Sequence, residues 1–127
     1  MSFKSEFAVD GETYLVLSCN YSLSQTINSS GKPATDVQGG TLMVTVETKE
    51  SDGLAEWMVN PWGKKNGTIT FKKFDQDSKF KEIKFTDGFL VQFTDNFHNG
   101  NAHPMTTSIV ISAKKIEIGS AAHENPW

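Results

Sequence analysis

A chain of 127 residues holds one domain with a real core, since a single core commonly takes about 100 to 200 residues. With 37% hydrophobic and 21% charged residues and a mean hydropathy of -0.38, it is neither a disordered nor a membrane-embedded chain by composition. A formal charge of -3 and a pI near 5.5 provide no basic field for a phosphate backbone, so no nucleic acid partner is expected. Area scaling gives a folded chain of 14.0 kDa a surface of roughly 6,700 Å².

Strand periodicity dominates from the start. Phe3, Phe7 and Val9 share one parity, and Asp10-Gly11 follows as a turn that tolerates positive φ. Leu15, Leu17, Cys19, Tyr21 and Leu23 then alternate with Ser18, Asn20, Ser22 and Ser24, which predicts a half-buried antiparallel hairpin. Cys19 is the single cysteine, so an internal disulfide is impossible and its phase reads as a small buried thiol. Residues 26–40 cannot bury apolar area. Asn28, Ser29, Ser30, Gly31, Lys32, Pro33 and Asp36 mark them as a long polar loop, and structureless loops beyond about 12 to 15 residues are uncommon in compact domains unless they have a task.

Leu42, Val44 and Val46 alternate with Thr41, Met43, Thr45 and Glu47 in the next strand. One helix follows: Ser51 or Asp52 can cap it, Leu54, Trp57 and Met58 form its apolar stripe, and Pro61 stops it. So short a helix must dock on a sheet to persist. Asn66-Gly67 reads as a turn before a strand over 68–74, with Asp75, Gln76, Asp77 and Ser78 as the polar break before a strand over 79–85. Phe89, Val91 and Phe93 continue the parity of Ile83 and Phe85 past Gly88, so that strand runs on through a bulge or bend. After a polar loop over 96–103, Met105, Thr107, Ile109, Ile111 and Ala113 form one face of the last strand, opposite Thr106, Ser108, Val110, Ser112 and Lys114. About seven strands and one helix predict a mainly β fold: a small antiparallel barrel or sandwich with one short α-helix, occupying residues 1–127 as one domain.

Chemical signatures are sparse. His98, His103 and His123 share no spacing suited to a metal, and Asp75-Gln76-Asp77 lacks the glycine of a calcium loop and has Lys79 at the next ligand place. There is no Gly-rich phosphate loop, no Gly-x-Ser-x-Gly, and no base near Cys19. No catalysis, metal or cofactor is expected. Trp57 and Phe85 are the expected core anchors, whereas Trp62, after Pro61, and Trp127 suit a subunit interface as well as they suit a fold back onto their own barrel.

Glu56-Trp57-Met58, Phe85-Thr86-Asp87, the opening Met1-Ser2-Phe3-Lys4 and the run Ser112-Ala113-Lys114-Lys115 with the tail Ala122-His123-Glu124-Asn125-Pro126-Trp127 occur in a telling order. In that order the chain resembles the type VI secretion system tube protein family, Hcp (TssD), and within it the Bacteroidetes branch. The resemblance implies a compact barrel that forms homohexameric rings, stacked into a hollow tube that a contractile sheath expels with a spike at its tip to deliver effectors. The loop over 26–40, with the seven residues named above, would then serve contacts between stacked rings. Ser18, Asn20, Ser22 and Ser24, or Thr106, Ser108 and Ser112, would suit a wet lumen or a subunit interface. The N-terminus lacks a basic region followed by an apolar run, so export without a cleaved signal peptide from a cytoplasmic site of assembly, with no membrane insertion, is the expectation. A small-ligand-binding β-barrel module is the alternative.

Overall fold

The computed structural model describes residues 3–73, 79–100 and 102–127. Its elements are β1 (Phe3–Val9), β2 (Glu12–Tyr21), β3 (Thr41–Glu47), α1 (Gly53–Met58), β4 (Lys65–Lys73), β5 (Lys79–Phe97), β6 (Met105–Ile118) and β7 (Ala121–Glu124). The strands run in the order β3-β2-β1-β4-β5-β6-β7, all antiparallel, and β3 also pairs with β6. Six strands therefore close on themselves as a barrel, and β7 pairs with the end of β6, from Lys115 to Ile118.

The barrel is filled by side chains. Phe7, Leu42, Val44, Val46, Ile69, Ile83, Phe85, Ile109, Ile111 and Ile116 are each at most 2% exposed. Phe7 lies between Tyr14 and Phe85, with ring centroids 5.9 and 6.1 Å away. The β1–β2 connection is the expected tight turn, with Asp10 and Gly11 both at positive φ and Val9 facing Glu12.

Several readings change. Leu15 does not face the core: Tyr14 and Val16 do, and a register shift between Val16 and Ser18 then turns Leu17, Cys19 and Tyr21 half inward. An extra residue in a strand exchanges its faces, so one alternation cannot describe both halves of β2. Asn66-Gly67 is not a turn. It lies inside β4 at a register step opposite β5, where the Asp87 N–H donates to Asn66 Oδ1 at 2.9 Å. Gly67 is required there by close approach, since a Cβ would sit 2.6 Å from Phe85 Cζ. The tail, read as an extension after the last strand, contributes β7, whose His123 faces Ile116.

Strand β5 does continue past Gly88, bent where Asp87 takes φ 54, but the parity changes there, so Leu90 rather than Val91 points inward. The segment read as a polar break, Asp75–Ser78, and the expected strand end at Phe74 lie outside the described residues. Helix α1 packs on β5 with Leu54 and Trp57 buried and Met58 half-buried. Ser51 Oγ accepts the Gly53 N–H at 3.2 Å, satisfying one donor of the first turn, while Asp52 makes no side-chain cap.

Candidate functional site

Strands β2, β3, β6 and the second half of β5 form a four-stranded wall whose outer face is uncharged over most of its area. Its rows follow from the register. Ser18, Thr45, Ser108 and Thr94 lie side by side, as do Asn20, Met43, Val110 and Gln92. A third row runs Thr41, Ser112, Phe89, and a fourth Glu47, Thr106, Asn96. Thr45 and Ser108 join their hydroxyls at 3.1 Å. The two groups of residues singled out separately in the sequence, Ser18 and Asn20 on one strand and Thr106, Ser108 and Ser112 on another, thus share one surface. Ser22 and Ser24 lie beyond the end of β2 and off the wall. Glu47 is the one carboxylate in these rows, paired with His103 Nδ1 at 3.2 Å.

Gln92, Thr94 and Asn96 lie on the side of β5 opposite Phe93, as the alternation implies, but only the pairing of β5 with β6 sets them beside Val110, Ser108 and Thr106. The opposite face, built by β1, β4 and the first half of β5, differs in kind. Lys4 and Lys72 reach Glu6, and Lys79 and Lys84 reach Glu82, at 2.9 to 3.8 Å. The Lys79 ammonium holds the Glu82 carboxyl below its ordinary range.

Both lateral edges of the uncharged wall are open. Along β2, pairing with β1 stops at Leu15, and along β5, pairing with β4 stops at Gly88. Among the described residues no strand covers residues 16–21 on that side of β2 or residues 89–97 on that side of β5. At the start of the β5 edge, Phe89 collects an aromatic cluster: Trp127 stacks on it at 5.3 Å, Trp62 meets it edge-on at 6.3 Å, and Lys64 Nζ lies 5.7 Å from its ring. Trp62 is 81% and Trp127 53% exposed, so the cluster presents bare indole surface beside an unpaired strand.

Residues 22–38 form an exposed arm joining β2 to β3. It is hydrogen-bonded rather than structureless. Ser24 and Gln38 exchange backbone hydrogen bonds of 2.8 and 2.6 Å, and the Ala34 N–H donates to Thr26 O at 2.7 Å. At the tip, Asn28 Oδ1 accepts the N–H groups of Ser30 and Lys32 and the Ser30 hydroxyl. Asn28, Ser29, Ser30, Gly31, Lys32, Pro33 and Asp36 are all exposed on it. Trp57 and Phe85 lie in the core instead, at 2% and 1% exposure.

The remaining polar groups are structural in their geometry. Glu12 accepts hydrogen bonds of 2.6 Å from Ser51 Oγ and Tyr14 Oη, which hold its carboxyl below the usual range and tie the start of α1 to β2. Burial pushes the Cys19 thiol up to about 11, so it stays protonated and unreactive near neutrality. Among the described residues no three ligating side chains converge.

A family model described as hemolysin coregulated protein Hcp (TssD) matches residues 1–127. Among solved structures, Hcp1 from Flavobacterium johnsoniae shares 37% identity and a TM-score of 0.92, covering 96% of this chain and 99% of that one. Hcp1 from Salmonella typhimurium has 12% identity and a TM-score of 0.79 over 98% of this chain and 95% of its own, which is a likeness of fold. The same holds for a type VI secretion system effector from Yersinia pestis, at 14% identity and a TM-score of 0.71, covering 94% of this chain and 98% of that one. None of the curated proteins matches the sequence.

Proposed function

The chain belongs to the hemolysin coregulated protein Hcp (TssD) family and is a structural tube subunit of a type VI secretion system, and from that premise we propose how it assembles. Six copies close head to tail into a ring, with the uncharged wall turned to the lumen and the two open edges joined between neighbours. The observation that carries this is the coincidence of one uncharged face with two unpaired edges at its sides.

Directions alternate across β2, β3, β6 and β5. A neighbour's β2 placed beside β5 therefore continues the antiparallel order, and the ring closes with every strand of the wall paired. Two different patches that meet under a closing rotation are what a heterologous ring requires. The Phe89 cluster borders the β5 edge and would be covered by the same contact, in keeping with the enrichment of aromatics at interface cores. The isolated subunit exposes 8074 Å², about a fifth more than the roughly 6,700 Å² expected of a compact chain of its mass, as befits a part that buries surface on assembly.

In this arrangement a wall of hydroxyls, amides and a few apolar side chains, with Glu47 its one carboxylate, gives cargo little charge to adhere to, so effectors can move through the lumen. The exposed arm reaches the next ring and stacks the tube, while the ion-paired face turns outward toward the sheath; the spike sits on the terminal ring. The protein is exported in this role, and among the described residues no helix is long and apolar enough to cross a membrane. The ligand-binding alternative finds no support in the barrel interior, which is occupied by side chains.

Thiol cross-linking tests the edge contact. In a Cys19→Ser background, Asn20→Cys combined with Gln92→Cys or Thr94→Cys places thiols on opposite edges of the wall. Three strand spacings separate them within one chain, about 14 Å, too far for an internal disulfide. A ladder of covalent oligomers ending at six copies is expected. Products no more abundant than with either single cysteine would refute the edge-to-edge contact.

A further inference from the structure

Asn125 uses its whole side chain in one place. Its Nδ2 donates to Gly39 O at 2.9 Å and to Ala113 O at 3.0 Å, and its Oδ1 faces His123 Nε2 at 3.0 Å. Both amide hydrogens are committed, and the carbonyl is met by a ring nitrogen that donates. Its own N–H donates to Lys114 O at 2.7 Å, so the residue is held by β6 while its side chain reaches 86 positions back along the chain to Gly39.

Gly39 and Gly40 are where the arm returns to β3. Gly40 is buried at φ 95, and a Cβ there would lie 2.6 Å from both Ala113 O and Asn125 Nδ2. Its carbonyl accepts the Ala113 N–H at 2.8 Å. Leu23, on the outgoing leg, packs so closely on Gly39 that a Cβ would meet its Cδ2. Both legs of the arm are thus gathered at a point that Asn125 fastens to β6. Beyond that point Trp127 stacks on Phe89, so the tail runs from the arm's root to the open edge of β5.

We propose that Asn125 is a positioning residue that fixes the angle at which the arm leaves the barrel, so that the tail serves stacking without touching the next ring. The fixing of the arm follows from the hydrogen bonds; its use rests on the reading that the arm joins stacked rings. The rest of the arm is exposed, and its internal hydrogen bonds set its shape without setting its direction. Direction is decided at the root, where backbone contacts alone would leave Gly39 O unmet by Asn125.

Amide hydrogen exchange on the full chain tests the clamp itself. Asn125→Asp keeps the shape but replaces the amide nitrogen and its two N–H donors with one oxygen facing both carbonyls, and Asn125→Ala removes the group without that repulsion. Exchange at the amides of Ser24, Gln38 and Ala113 should quicken by about tenfold or more in both variants, with the Val44 amide in the core unchanged. No change at those three amides, or an equal change at Val44, would overturn the proposal. Tube sedimentation is measured in parallel with a variant lacking residues 28–32. If that deletion stops stacking and Asn125→Asp stacks like the parent, the positioning role is overturned; if both lose stacking, it is supported. If the deletion stacks normally, the arm's role between rings fails, and with it the use assigned to Asn125, while the exchange data still judge the clamp.

Discussion

Trp57→Ala removes the side chain on which α1 depends. The indole is 2% exposed, its Nε1–H donates to Gly63 O at 2.9 Å, and Lys65 Nζ stands 5.9 Å from its ring. A buried aromatic of this size removes about 150 to 250 Å² from water, which at about 25 cal/mol per Å² corresponds to roughly 4 to 6 kcal/mol for the whole side chain. Alanine retains the Cβ and the site collapses in part, so a loss of about 3 to 5 kcal/mol is expected. Trp57→Phe keeps most of the packing but leaves Gly63 O without its donor, and should cost about 1 to 2 kcal/mol. A six-residue helix has no stability of its own, so the loss should appear as global destabilisation and not as fraying alone. Urea unfolding followed by far-ultraviolet circular dichroism measures both variants, at one fixed protein concentration because assembly shifts apparent stability. A change below about 1 kcal/mol for Trp57→Ala would refute the claim that this side chain anchors the helix to the barrel.

Gly67→Ala should cost about 1 to 3 kcal/mol by thermal melting, because its Cβ would press within 2.6 Å of the Phe85 ring and 2.9 Å of Ala8 O; a neutral result would mean that β4 and β5 are not so close. The Glu12 carboxyl titrates below the ordinary 4.5, so it supports the fold above that value and ceases to do so as pH falls through its lowered folded value. Glu12→Gln should therefore flatten the fall in melting temperature below about pH 4.5, and an unchanged slope would remove the Ser51–Glu12–Tyr14 tie from the account. Culture supernatants should contain the protein only when the contractile sheath is present, by mass spectrometry; release that persists without the sheath would contradict export as part of the tube.

Much of the architecture was legible because alternation survives wherever a strand is straight. Leu42, Val44 and Val46, and Thr107 through Ala113, face the core as their period requires. The reading lost its way where strands bend. A bulge after Val16 exchanged the faces of β2, and the bend at Asp87 did the same to β5 as far as Leu90, where a second register shift restored the original faces. Asn66-Gly67 carries the composition of a turn, yet its glycine answers to the Phe85 ring, a contact between residues distant in sequence. The separate serine and threonine sets on β2 and β6 were visible as polar alternation, but only the insertion of β3 between them makes one surface of both. Asn125 gave no local sign, since its partners lie in the arm and in β6.

Native mass spectrometry of the purified chain tests the ring most directly. The account predicts a dominant species of six times the 14.0 kDa chain, with any larger species in multiples of that ring. A population confined to the single chain, or a continuous series of sizes with no preference for six, would contradict closure through the edges of β2 and β5.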